Sequence, residues 1–173
     1  DAPTPIEILE AYHLTKQANE CFQNKQYQVA ADLYEKGVNV GFRAAMNLQM
    51  ERDHLLLQQS KEEGTKPKHK PPAGLEWLIV ARRNEAIARL ELGDEDGALF
   101  AAQASCNISR NASPESFRVL AKVYERKKDE AGELQSLKTM FGLPVDETKL
   151  SFQEKNERRL CGFRLQKLEA ASP

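Results

Sequence analysis

Small residues recur in this chain at one fixed spacing, and that spacing restricts the possible folds more than any other feature. Ala18 and Ala30 are twelve residues apart, and so are Ala86 and Ala98. In both stretches the surrounding apolar residues follow the helical period on either side of a short polar turn. Small side chains at such positions let two helices pack closely. The chain is therefore predicted to contain recurring helical hairpins.

A third stretch extends the same organisation. It begins with Ser113 and Pro114, which is typical of a helix N-cap followed by proline at the first helical position. A bulky–bulky–small–bulky pattern follows. The pattern residues are Phe117, Leu120, Ala121 and Tyr124. Alternating Val, Ile and Thr runs, which would indicate strands, are nearly absent, and the chain is predicted to be all-α.

The three units resemble the tetratricopeptide repeat, a helix-turn-helix of about 34 residues with small residues where its two helices touch. The matching residues are Ala18, Tyr27, Ala30 and Tyr34 in unit one, Ala86, Gly93 and Ala98 in unit two, and Phe117, Leu120, Ala121 and Tyr124 in unit three. The resemblance covers roughly residues 11–141. It implies a right-handed helical-hairpin solenoid, because one hairpin cannot bury its apolar faces alone.

We expect a single domain over residues 1–173. Unit one spans about 11–60 and has an extended second helix, and a flexible loop rich in lysine and proline follows over 61–74. Units two and three span about 75–108 and 113–142, and a C-terminal capping helix spans about 147–170. This layout is similar to the repeat domains of immunophilins and related co-chaperones.

Further apolar residues are predicted to pack. Trp77 is expected to cover the packing between the long helices rather than to anchor a partner. The capping helix is expected to cover unit three with an apolar stripe. The stripe residues are Leu150, Leu160, Cys161, Phe163, Leu165 and Leu168.

The sequence contains no pattern typical of catalysis. Its three histidines, His13, His54 and His69, have no partner at metal-ligand or catalytic-triad spacing. Gly-rich phosphate loops are missing. The three cysteines are scattered within apolar helical patterns, which favours core packing over metal binding or disulfides. We expect no enzymatic activity, no metal, no cofactor and no small-molecule substrate.

Charge and hydropathy argue against other classes. The net charge of -1 makes nucleic-acid binding an unfavourable hypothesis. No apolar run approaches the roughly 18 residues of a membrane span, and the N-terminal residues lack a signal-peptide pattern. A cytoplasmic location is expected. Asn107 and Asn111 begin glycosylation sequons, and the sequence leaves their use open.

The family resemblance implies a groove lined by the first helix of each unit. In co-chaperone members, this groove holds C-terminal carboxylates through the pattern Lys-x-x-x-Asn, then Asn, then Lys-x-x-x-Arg, which supplies charge-assisted donors. Asn19 and Asn84 match the two asparagines, but Thr15 stands at the first lysine position. In unit three, the register fixed by Phe117 places Glu115 and Val119 at the lysine and arginine positions. The register fixed by Ala131 places Ser113 and Phe117 there.

All three cations of the clamp are thus missing, and each charge-assisted contact is worth about 1.5–3 kcal/mol. The sequence therefore favours asparagines that hydrogen-bond neighbouring helices or a peptide backbone over a working clamp. Arg82, Arg83 and Arg118 would meet an acidic peptide if they reach the groove, although interleaved charge favours a solvated helix face. The candidate groove residues are Thr15, Asn19, Arg83, Asn84, Phe117 and Arg118.

The predicted function is a non-catalytic protein-interaction module that binds an extended peptide or a partner helix in the groove. It would belong to an adaptor or a co-chaperone-like, chaperone-linked protein. Three alternatives remain: a permanent architectural subunit or homodimer, a carboxylate clamp with rearranged cations, and an RNA-binding helical repeat.

Overall fold

The computed structural model describes residues 5–66 and 75–172, which form helices and no strand. The α-helices are α1 (Ile6–Gln23), α2 (Tyr27–Glu63), α3 (Glu76–Glu91), α4 (Glu95–Ile108), α5 (Pro114–Arg126), α6 (Glu130–Gly142) and α7 (Phe152–Ala171). A short 3-10 helix, Glu147–Lys149, precedes α7. The predicted all-α class is confirmed. Within the described ranges, no helix is both long enough and apolar enough to cross a bilayer.

Hairpin one (α1–α2), hairpin two (α3–α4) and hairpin three (α5–α6) turn in the same way. Lys25, Gly93 and Lys128 have positive φ angles of 60°, 79° and 59°. In each hairpin the backbone N–H of the residue that follows donates a hydrogen bond to a carbonyl oxygen in the last turn of the first helix. The N–O distance is 2.9 Å in all three hairpins. This is the Schellman arrangement, which satisfies carbonyls left free at a helix end. Gly93 adopts its angle without the steric cost that a side chain brings.

Side-chain caps start several of the helices. Ser113 accepts a hydrogen bond from the Ser116 N–H at 3.2 Å, and Pro114 lies at the start of α5. The N-cap predicted at Ser113 is therefore confirmed. Asp94 and Asp129 cap α4 and α6 in the same manner. These caps satisfy N–H groups that have no partner inside the helix.

Helix α2 is 37 residues long, against 14 in α4 and 13 in α6. A Cβ built at Gly41 in α2 would lie 2.5 Å from the Ala11 Cβ and 2.8 Å from the Trp77 ring. Glycine thus allows α1, α2 and α3 to meet, and Trp77 packs between helices. The loop predicted over residues 61–74 overlaps the last turn of α2, and its residues 67–74 lie outside the described part of the chain.

Helices that are adjacent in the chain pack on one another, from α1 on α2 to α6 on α7, and α3 also contacts both α1 and α5. The three first helices of the hairpins are therefore neighbours, and we call their common surface the first-helix face. Two hydrophobic clusters fill the interior. One is built mainly on α1–α3 and contains Tyr34, and the other joins α3–α7 and contains Leu137.

Helix α7 covers hairpin three with fewer apolar side chains than predicted. Leu168 is 6% exposed, but Leu160 and Phe163 are 54% and 59% exposed, so this part of the predicted apolar stripe is wrong. An ion pair holds the helix instead. Arg164 donates from Nε to Oε1 of Glu133 at 2.6 Å and from Nη2 to Oε2 at 3.1 Å. Glu133 is only 1% exposed and the Arg164 side chain is 31% exposed, so this bidentate contact links the interior of α6 to the half-buried side of α7.

Candidate functional site

A cavity of about 390 Å³ opens on the first-helix face between α1 and α3. Its lining residues are Tyr12, Thr15, Lys16, Asn19, Tyr34, Glu76, Trp77, Val80 and Ala81. The helical period of α1 places its four contributions on one side of that helix. Tyr12 is 55% exposed and Lys16 is exposed. The cavity therefore carries an exposed aromatic ring, a cation and, at Glu76, a carboxylate.

The two candidate asparagines meet at one tyrosine. The Tyr34 hydroxyl donates to Asn19 Oδ1, and Asn84 Nδ2 donates to the Tyr34 oxygen at 3.4 Å. These bonds connect α1, α2 and α3. Tyr34 is fully buried; burial raises the pKa of its hydroxyl to about 12, against a smaller lowering by the Asn84 bond. Both asparagines thus orient a buried hydroxyl. This matches the sequence-based expectation that they hydrogen-bond neighbouring helices rather than form a carboxylate clamp.

Thr15 belongs to the packing between α1 and α2. It is 5% exposed, and its hydroxyl donates to the Tyr12 carbonyl at 2.9 Å. A Cβ built at Gly37 would lie 2.9 Å from Thr15 Cγ2. The small glycine is therefore needed to accommodate the threonine. Thr15 forms part of the cavity floor, and its hydroxyl is already engaged with its own helix.

Arg83 is the candidate cation with the fewest internal partners. It is half-buried on α3, and no described carboxylate lies within 4.0 Å of its guanidinium in the way that carboxylates pair with the neighbouring arginines. Burial lowers its pKa; smaller effects come from Glu115 and Glu154, which raise the pKa, and from Arg118, which lowers it further. A partly desolvated guanidinium of this kind gains from an added anionic contact.

Arg118 is already paired within the chain. Its Nε donates to Glu115 Oε2 at 3.0 Å, and its Nη2 lies 3.6 Å from Glu157 Oε2. Arg118 also lines a cavity of about 370 Å³ between α5, α6 and α7. An acidic partner at this point would have to displace two intramolecular carboxylates.

Phe117, predicted as a groove residue, is buried in the core. It is 8% exposed and belongs to the hydrophobic cluster of α3–α7. The register that placed it at a clamp position therefore does not describe α5. Val119, the alternative arginine position, is fully buried as well, and the accessible side of α5 carries Arg118 and Lys122 instead.

A buried ion network lies behind the first-helix face, where the sequence favoured a solvated surface for Arg82. That expectation is wrong, because Arg82 is 9% exposed and its Nη1 donates to Glu85 at 2.8 Å. Glu85, 1% exposed, also accepts from Arg89 Nε at 2.9 Å. Arg89 continues to Glu35 on α2 at 2.9 Å and to Asp94 at 3.1 Å. The signal in the sequence is the spacing of Arg82, Glu85 and Arg89, which matches that of Phe117, Leu120 and Tyr124.

The remaining chemically versatile residues do not assemble. No group of three or more His, Cys, Asp or Glu suited to a metal occurs in the described ranges. His13 and His54 are exposed on α1 and α2, and His69 lies outside the described residues. Burial raises the pKa of the Cys106 thiol to about 12, which disfavours the reactive thiolate.

No protein-family model matches the chain, and no curated protein is significantly similar to it in sequence. The site must therefore be interpreted from its own geometry. That geometry offers hydrogen-bonding amides, an exposed tyrosine and half-buried arginines.

Proposed function

We propose that the protein is a non-catalytic protein-interaction module of three tetratricopeptide-like units in a right-handed solenoid, with α7 as its cap. It binds an extended peptide or a partner helix along the first-helix face. The observation that carries the proposal is the open cavity between α1 and α3, within a stack of hairpins that share one turn geometry. Stacked hairpins of this kind present their first helices as an extended binding surface.

The contacts available on this face suit a peptide. Tyr12 and Val80 provide apolar area in the cavity, and Lys16 provides a cation for acidic side chains beside the carboxylate of Glu76. Arg83 adds a second cation from a neighbouring cavity on α3. Asn19 uses its carbonyl oxygen on Tyr34, which leaves its amide N–H groups to donate to a peptide carbonyl. Polar donors beside exposed aromatic groups are typical of peptide-binding grooves.

The test compares two double variants with the same change in charge. Peptides selected from a random display library on the wild-type protein are measured against Tyr12→Ser/Lys16→Glu and against the control Phe152→Ser/Lys155→Glu on α7. All four positions are exposed, so the fold should persist. We expect the first variant alone to weaken binding, by about tenfold or more. Equal effects of both variants, or a library that yields no binder, would reject the groove.

A carboxylate clamp with rearranged cations is a second candidate, favoured by the free position of Arg83 beside Asn84. In this version a chaperone-type C-terminal carboxylate binds Arg83 and Lys16 in place of the three missing cations. Peptides that end in a free acidic carboxylate are compared with the same peptides amidated at the C-terminus. Tighter binding of the free acid that disappears in Arg83→Gln supports the clamp, and equal binding of acid and amide excludes it.

A permanent architectural role is a third candidate, favoured by the exposed apolar side chains of α7. Phe152 is 88% exposed and Phe163 is 59% exposed, and such groups often mark contact surfaces. Light scattering coupled to size-exclusion chromatography measures the mass directly. A stable dimer that Phe152→Ser/Phe163→Ser converts to a monomer supports this role, and a monomeric wild-type protein excludes the homodimer.

A further inference from the structure

A second cavity, of about 450 Å³, lies between α2 and α4. It shares no lining residue with the cavity between α1 and α3. Its floor is apolar, because Val38 and Ile108 are 1% and 9% exposed. The aromatic rings of Phe42 and Phe100 stand at its edge, 42% and 65% exposed. This is a separate depression with both an apolar base and exposed aromatic walls.

The side chain of Arg82 on α3 also lines this cavity. It is 9% exposed, and its guanidinium carbon lies 5.5 Å from the centre of the Phe100 ring. Its Nη1 is bonded to Glu85, whereas its buried Nε has no acceptor among the described residues. The Glu85 carboxylate serves two arginines at once. The guanidinium is therefore held in place beside the Phe100 ring, and it adds positive charge to the lining of the cavity.

The charge of the lining has one sign. Among the described residues it contains Arg82 and Arg43 and no Asp or Glu. Arg43 is exposed, and in the described ranges no carboxylate pairs with it. The other polar lining residues are the neutral amides Asn39, Gln103 and Asn107. A cationic, amide-rich rim around an apolar base is complementary to a group that carries both an apolar side chain and a carboxylate.

We propose that α2 and α4 form a second binding site, for a partner-protein segment that places an aspartate or glutamate beside an apolar side chain. The apolar side chain inserts between Phe42 and Phe100 above Val38, and the carboxylate meets Arg43. The partner's backbone is held by the amides of the rim. The module then engages two segments, one on the first-helix face and one here, through different side chains.

The experiment uses a random-peptide display library and three variants of the whole chain. The library is first depleted on Phe42→Ser/Phe100→Ser and then selected on the wild-type protein. The enriched peptides are assayed against Arg43→Gln, and against Tyr12→Ser/Lys16→Glu as the control for the first-helix face. Phe42, Phe100 and Arg43 are exposed, so these variants should fold, and circular dichroism checks that they do.

We expect enriched peptides that pair an acidic residue with an aromatic or aliphatic one. Arg43→Gln should weaken them about tenfold, and added salt should weaken them further, while the Tyr12→Ser/Lys16→Glu control leaves them unchanged. Absence of enrichment, enrichment of basic or purely apolar peptides, or equal affinity for Arg43→Gln overturns the proposal. A wild-type dimer that Phe42→Ser/Phe100→Ser dissociates also overturns it, because a second copy would then cover the face.

Discussion

Hairpins two and three hold different interiors in the same framework. Arg82, Glu85, Ala86 and Arg89 of α3 stand 35 residues before Phe117, Leu120, Ala121 and Tyr124 of α5. Only the small alanine is common to both sets. Both hairpins nevertheless turn through the same Schellman geometry and start their second helix at a capping aspartate. The turn, the cap and the small contact residue are therefore the features that the two hairpins share. The other matched positions hold charged side chains in α3 and apolar or aromatic side chains in α5.

The two interiors differ in what they connect. Glu85 lies between Arg82 and Arg89, and Arg89 extends to Glu35, so the ions join hairpins one and two. The corresponding apolar residues of α5 join the hydrophobic cluster that reaches α7. Ion pairs are directional and need every member, whereas apolar packing degrades gradually. Substitutions at matched positions should therefore differ in size and in additivity.

The largest effect is expected at Glu85. The change Glu85→Leu leaves the buried Arg82 without its carboxylate and removes one of three carboxylate partners of the half-buried Arg89. Breaking a buried pair in this way costs about 3–5 kcal/mol. The free energy of unfolding is measured by urea denaturation. The triple variant Arg82→Phe/Glu85→Leu/Arg89→Tyr copies the residues of α5 and should recover all of this loss or exceed it.

The matched change in hairpin three is Leu120→Ala, which should cost about 2–5 kcal/mol through lost burial and a cavity. No companion substitution at Phe117 or Tyr124 should restore it. If the triple variant of hairpin two stayed as unstable as Glu85→Leu, the interiors would not be interchangeable, and the bulky positions would carry more of the fold than we infer.

A second prediction uses pH to separate buried ions from the buried hydroxyl of hairpin one. Because the pKa of Tyr34 is raised from 10.0 to about 12 by burial, the folded state favours the protonated hydroxyl. Its contribution is complete below pH 10 and is lost as the pH rises towards 12, about 2–3 kcal/mol in all. Arginine stays protonated over this range, so the ion network should not respond.

Urea denaturation of wild type and Tyr34→Phe at a series of pH values from about 9 to about 12 measures this difference. The phenylalanine variant should lose about 1 kcal/mol at neutral pH, because Asn19 and Asn84 lose their partner. It should lack the alkaline decline that Tyr34 causes in the wild type. Parallel pH profiles for the two proteins would show that Tyr34 ionises as easily folded as unfolded.

A third prediction concerns the glycines that face the bulky residues across each hairpin. A Cβ at Gly132 would lie 2.7 Å from the Tyr124 ring, whereas one at Gly97 would lie 2.9 Å from Arg89 Cδ and against the Asp94 carboxylate. A packed aromatic ring can move away from an added methyl group less easily than the flexible side chains of arginine and aspartate can. Gly132→Ala should therefore destabilise by about 1–3 kcal/mol, and Gly97→Ala by less. The reverse order in thermal denaturation would contradict the proposed contact with the ring.

The helical class was predictable because it depends on local patterns. Ala18, Ala86 and the cap at Ser113 mark helix contacts and starts through short-range spacing alone. The ion network was harder to predict. The spacing of Arg82, Glu85 and Arg89 matches that of a buried face, but these residues are equally compatible with a solvated helix face until another helix covers them.

The candidate site shows the same limit. Asn19 and Asn84 were found from a motif, but their common partner Tyr34 lies on a third helix, 15 and 50 residues away in sequence. Phe117 matches a groove position only in the register fixed by Ala131. Which side of α5 is buried depends on α6 and α7, and local spacing does not contain that information.

The smallest difference in stability between hairpins two and three is expected for substitutions of their N-cap aspartates. Asp94 and Asp129 each accept from a glycine N–H, at 2.9 Å and 3.0 Å, and loss of such a cap costs about 1 kcal/mol. Asp94 also pairs with Arg89 at 3.1 Å, and its side chain is 44% exposed, so the charge adds only about 0.5 kcal/mol. Asparagine retains the cap and removes the charge. In urea denaturation, Asp94→Asn should therefore destabilise and Asp129→Asn should be nearly neutral, while equal effects would mean that Asp94 stabilises hairpin two as a cap alone.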